Sequence, residues 1–94
     1  MDSLCERDEA KRRLNLAKHG VDFADIVEVF HDPDLVHHPS ARHLAEDRWK
    51  AVGGLGGAIW SVVYSWRGST RRLISARRAS RNDRRAYYAS DSGA

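Results

Sequence analysis

Ninety-four residues, 41% hydrophobic and 31% charged, suit one small soluble globular domain spanning 1–94. No apolar run approaches the roughly 18 residues of a membrane span, and the polar start MDSLCERDEAKRR lacks a signal-peptide core, so a cytoplasmic protein with no membrane partner is expected. The net charge of +3 conceals an asymmetry: residues 1–47 carry six Lys/Arg against eleven Asp/Glu, a balance of −5, and residues 48–94 carry ten against two, a balance of +8. A half-molecule so basic attracts polyanions. Nucleic acid and an acidic partner protein both fit that field.

In chain order, residues 3–7 leave a short first strand open. Asp8 is a good N-cap for a helix, along which Ala10, Leu14 and Ala17 form an apolar stripe. Lys18 and His19 fall in its last turn, where cations suit the helix dipole, and Gly20 is a natural left-handed C-cap. A second helix starts at once. Asp22 can cap it, Asp25 stands at its third position, and Val21 can staple to Ile26. Phe23, Ile26, Val27 and Phe30 give it an apolar face, and Asp32-Pro33 ends it.

Residues 35–46 suit a short strand and then a loop. Residues 48–53 suit a strand, GGLGG at 53–57 a hairpin turn, and the β-branched and aromatic run 58–66 a further strand. Gly68-Ser69 turns the chain into a strand over 71–78. Ser80 can cap a last helix over 80–89 with Asp83 at its third position, and the tail SDSGA suits disorder. The expected fold class is therefore α+β: two N-terminal helices, an antiparallel β-sheet meander covered on one face, and a C-terminal helix.

Several motifs carry no chemistry. GGLGG lacks the GxxxxGK[ST] pattern and precedes a strand, so it is no phosphate loop. Cys5 is a lone cysteine, which makes neither an internal disulfide nor a zinc site. Its expected place is half-buried near the N-terminus. His19, His31, His37, His38 and His43 lack the spacing of a metal site, so neither metal nor cofactor is expected. Ser75 has no nucleophile motif around it and suits a strand position facing a polar groove.

The arginines are more informative: Arg67, Arg71, Arg72, Arg77, Arg78, Arg81, Arg84 and Arg85 crowd one stretch of chain. Strand alternation sorts them. With Trp60, Val62, Tyr64, Ile74 and Ala76 facing the helices, Ser61, Val63, Ser65, Arg67, Leu73, Ser75 and Arg77 share the other face. Arginine offers phosphate a bidentate fork at any relevant pH, so Arg67 and Arg77 are placed to hold a phosphate and its developing charge. An imidazole is suited to general acid or base work, and His19 offers one. A helix-terminal cap is its equally fitting structural role.

The string as a whole resembles the BrnT family of type II toxins. The resemblance runs over about residues 8–88. It is carried by Asp8-Glu9, Lys11, Asn15, Lys18-His19-Gly20-Val21 with Phe23, Val29-Phe30-His31-Asp32-Pro33, Glu46, Arg48, Gly53, and Val62-Val63-Tyr64 with Arg67. Its most specific piece is Arg72-Leu73-Ile74-Ser75-Ala76-Arg77-Arg78-Ala79-Ser80 with Asp83 and Arg84. Arg7 stands where the family pattern has tryptophan, and Asp83 is a mild variant of its acid.

The resemblance implies a RelE-like fold and metal-independent cleavage of RNA that shuts down translation. It also implies a cognate BrnA-like antitoxin that covers the basic groove, and contact with operator DNA only through that antitoxin. On this reading Arg67 and Arg77 handle the scissile phosphate, and Lys18 and His19 assist proton transfer or contact phosphate. Arg48, Ser75, Arg81, Arg84 and Tyr87 hold RNA. The alternative is a basic binding module, for nucleic acid or an acidic protein, that does not cut. A histidine-based metal protein is the weaker third reading.

Overall fold

The computed structural model describes residues 5–40 and 48–92. Its elements are β1 (Cys5–Glu6), α1 (Glu9–His19), α2 (Phe23–Ile26) running into a 3₁₀ turn (Val27–His31), β2 (Val36–Pro39), β3 (Arg48–Leu55), β4 (Ala58–Arg67), β5 (Thr70–Arg78) and α3 (Arg81–Ser92). The five strands form one sheet in the order β1-β5-β4-β3-β2. The α+β class and the antiparallel β2–β5 meander agree with expectation. The segment left open before α1 adds a parallel pairing, Cys5 with Arg71 and Glu6 with Arg72.

The caps of α1 form as their chemistry requires. Asp8 Oδ1 accepts from the amides of Ala10 at 2.8 Å and Lys11 at 3.2 Å. Gly20, at φ 74°, donates its own amide to Leu16 O. The stripe Ala10, Leu14, Ala17 nevertheless faces outward, and Leu14 is 69% exposed. The buried residue of α1 is Asn15. Its Oδ1 accepts from the Ala76 amide of β5 at 2.9 Å, and its Nδ2 donates to Val21 O at 3.3 Å. Among the described residues β1 pairs with β5 at Arg71 and Arg72, and Asn15 satisfies an amide farther along that edge. A polar side chain thus docks the helix where apolar periodicity suggested a greasy face.

Asp22 caps α2 by accepting from the Ala24 amide at 3.0 Å. It also takes a two-pronged contact from Arg12, Nε at 2.7 Å and Nη2 at 2.8 Å. Arg12 holds that carboxylate far below its ordinary 3.8, down to about 2. Val21, Phe23, Ile26, Val27 and Val29 pack on Ala51, Val62, Tyr64, Leu73 and Ala76, making the main core on one face of the sheet.

The β3–β4 hairpin is tighter than expected. β3 runs through Gly53 and Gly54 to Leu55, which pairs with Ala58, leaving a two-residue turn of Gly56 and Gly57 at φ 61° and 81°. Positive φ at both central residues marks the turn that matches strand twist. Gly53 has a different reason to be glycine. A Cβ there would stand 2.7 Å from Leu35 Cδ1 and 2.8 Å from Val29 Cγ1.

Two expectations need correction. The sheet is covered on both faces, because α3 packs over β3 and β2, and Ala79 and Tyr87 bury Val52 in a second small core. The helix also continues through Ser92, past the point where disorder was expected. The amide of Asp83 donates to Ser80 Oγ at 3.1 Å, as the cap predicts.

Candidate functional site

The β4–β5 pairing sets what each strand residue can reach. Val63 opposes Ser75, whereas Tyr64 opposes Leu73, so Ile74 is an extra residue bulged out of β5. Alternation assigned Leu73 to the open face and Ile74 to the core. The bulge reverses both: Leu73 is fully buried and Ile74 is half-buried. Beyond the bulge the original parity returns, with Ala76 inward and Ser75 and Arg77 outward.

Ser75 and Arg77 then line a groove of about 230 Å³ with Ser40, Arg48, Lys50, Val63 and Ile74. Arg48 and Lys50 enter from β3, two residues apart and so on the same face. A second cavity, of about 190 Å³, lies between α1 and β5, lined by Lys11, Leu14, Asn15, Lys18, His19, Ile74 and Ser75. Ile74 and Ser75 belong to both. The cations of β3 and β5 and the last turn of α1 therefore share one wall.

Two further residues, Lys50 and Asp83, join the groove. The Asp83 carboxylate accepts from Lys50 Nζ at 3.0 Å and from Ser61 Oγ at 2.8 Å. Burial pushes Asp83 up, but Lys50, Ser61 and Ser80 outweigh it and hold the group below the ordinary carboxylate value. Asp83 fixes the Lys50 ammonium at the groove wall and pins α3 to the sheet. The i, i+2 spacing of Arg48 and Lys50 was the available signal. Ser61, expected on an open face, is buried by this contact.

The remaining expected site residues fall elsewhere. Arg67 is exposed at the β4 end by the Gly68 turn and does not line the groove. Arg81 and Arg84 are exposed on α3, and Arg84 Nη1 donates to Ala79 O at 3.0 Å. Tyr87, expected on an RNA-holding face, lies in the second core, and its hydroxyl donates to Asp32 Oδ2 at 2.6 Å. That carboxylate also accepts from the Gly54 amide at 2.8 Å. Burial raises Asp32, and the bonds from Tyr87, Gly54 and Asp34 bring it below its ordinary value. A further cavity, of about 570 Å³ by the β3–β4 turn, is lined by Glu28, Asp32 and Tyr87 among others, and its carboxylates disfavour a polyanion.

Among the described residues no three His, Cys, Asp or Glu side chains converge as metal ligands. His43 and Glu46 lie outside the described residues. No described helix is long and apolar enough to cross a membrane. A family model described as the ribonuclease toxin, BrnT, of type II toxin–antitoxin systems matches residues 8–83. No curated protein matches the chain significantly.

Proposed function

The chain belongs to the BrnT family of ribonuclease toxins of type II toxin–antitoxin systems, and from that membership we propose that it cuts RNA, without a metal, in the groove where β3, β5 and the end of α1 meet. One observation carries the reading: Ile74 and Ser75 line both the cationic groove and the cavity holding Lys18 and His19. A phosphate against Arg77, Arg48 and Lys50 has acid–base groups just across that wall.

In the proposed reaction the His19 imidazole takes the proton of a ribose 2′-hydroxyl. The freed oxygen attacks the adjacent phosphorus, and the bond from phosphorus to the 5′-oxygen breaks. Lys18 returns a proton to that leaving oxygen, so the products are a cyclic phosphate end and a 5′-hydroxyl end. Arg77 and Arg48 stabilise the charge that builds on the phosphate oxygens, and Ser75 offers a hydroxyl to the same group. Arg67, Arg81 and Arg84 draw the flanking backbone in. Such cleavage would act in the cytoplasm and halt translation. The cognate partner would be a BrnA-like antitoxin that fills the groove, with operator DNA contacted through it.

Purified protein incubated with RNA in excess EDTA should cut it. Arg77→Ala should lower the rate roughly 10²–10³-fold with an unchanged circular dichroism spectrum, since Arg77 is exposed. Cleavage abolished by chelation would overturn the metal-free route, and an unaffected Arg77→Ala rate would overturn the groove as its seat.

A further inference from the structure

On the opposite face of the sheet lies a cavity of about 300 Å³ lined by His37, Trp49, Tyr64, Trp66 and Arg71, the low end of the size range of ligand sites. Nothing in the proposed cleavage uses it. Trp49 lies directly across from Tyr64, and Trp66 across from Arg71, so four side chains of three adjacent strands converge there. Tyr64 meets Trp66 edge-on at 5.7 Å between centroids. His37 Nδ1 is 2.8 Å from the Tyr64 hydroxyl. Trp66 is 43% exposed, so its indole face is open to a stacking partner.

Arg71 decides what such a box can take. Its guanidinium lies 4.3 Å from the Phe30 ring centroid, 4.9 Å from Trp66 and 5.5 Å from Tyr64. The Tyr64 hydroxyl takes a hydrogen bond from it, but among the described residues no carboxylate pairs with it and its buried Nε has no acceptor. Buried donors are nearly always met. Aromatic boxes usually capture cations, but here a cation is already in place and would repel a second. What remains is a flat ring to stack on the exposed indole, carrying an anion or carbonyl for the guanidinium.

We propose that this pocket is a nucleotide-binding subsite: one base of single-stranded RNA stacks on Trp66 and Trp49, and its phosphate or an exocyclic oxygen meets Arg71. The subsite lies at the level of the groove along the strands, because Arg48, a groove residue, pairs with Ser65 between Tyr64 and Trp66. A strand leaving the groove reaches it around the β4–β5 tip, where exposed Arg67 follows Trp66 and Arg72 pairs with Ser65. The subsite thus rests on the reading of RNA as substrate and extends it to a base held outside the cleavage groove.

The test uses the full chain and a short RNA methylated at every 2′-oxygen, so that binding is read without cutting. The parent protein should bind it with quenching of tryptophan fluorescence. Trp66→Ala should weaken binding roughly tenfold, the usual effect of losing one stacked base, and remove most of the quench. Trp66→Phe should restore most of the affinity, which a merely structural role would not predict. Trp66→Ala binding within about twofold of the parent, while Arg77→Ala binds less, would overturn the subsite and leave the groove standing. No binding by the parent would overturn both. Unchanged RNA affinity with lost antitoxin binding in Trp66→Ala would overturn the proposal in favour of a protein contact.

Discussion

At the scale of single residues, the decisive side chain of α1 is a polar one. Asn15 spends both ends of its amide inside the protein, and removing it leaves the Ala76 amide and the Val21 carbonyl without that partner. Asn15→Ala should therefore cost about 1–3 kcal/mol, measured by urea unfolding. It should also lower cleavage, since Ala76 lies between Ser75 and Arg77. Leu14→Ala on the same helix should be nearly silent in stability, because Leu14 is largely exposed. Helical periodicity reads apolar residues and is blind to an amide that replaces them. Asn15 stood out only as part of the family motif. Ser75 and Arg77 were legible because alternation counted from Ala76 is undisturbed.

At the scale of elements, turn and cap chemistry was the most readable part of the chain. Asp8, Gly20, Asp22, Ser80 and Gly68 each stand at the boundary that their local conformational preferences predict. Gly53 falls at the overlap of the expected strand 48–53 and the expected turn 53–57, because five clustered residues rich in glycine carry no mark of which two make the turn. The need for glycine there comes from Val29 and Leu35, distant in sequence. Gly53→Ala forces a methyl against a stiff β-branched side chain and should destabilise by about 1–3 kcal/mol, whereas Gly56→Ala meets no atom within 4 Å and is strained only by its φ of 61°. Comparing the two melting curves separates crowding from backbone strain. The first face of Leu73 and the reach of α3 were not legible, since a bulge and a docking angle leave no local signature.

At the scale of the whole molecule, three carboxylates tie separate elements together: Asp22 joins α1 to α2, Asp32 joins the 3₁₀ turn to β3 and α3, and Asp83 joins α3 to β3 and β4. All three are held below the ordinary value of 3.8, Asp22 at about 2. A carboxylate with a depressed folded value adds stability that is fully present above its unfolded value and is lost as pH falls through the folded one. The melting temperature should therefore drop between about pH 5 and about pH 2. Asp83→Asn should lower it at neutral pH and flatten that acid slope. An unchanged slope would mean that these contacts contribute little. The charge asymmetry was readable from composition alone. Which face it charges depended on strand order, and the parallel β1–β5 pairing has no sequence periodicity to announce it.

The bulge at Ile74 also bears on how the chain tolerates changes of length. β5 holds one residue more than its pairing with β4 requires, because Leu73 and Ser75 both keep step with their partners while Ile74 has none. Deleting Ile74 would close the ladder and leave every other pairing in phase, with Leu73 still inward and Arg77 still outward. An insertion at the same place would have no such slack. A codon can be lost from this strand without scrambling the sheet, and what would go with it is the partition between the groove and the cavity beside α1.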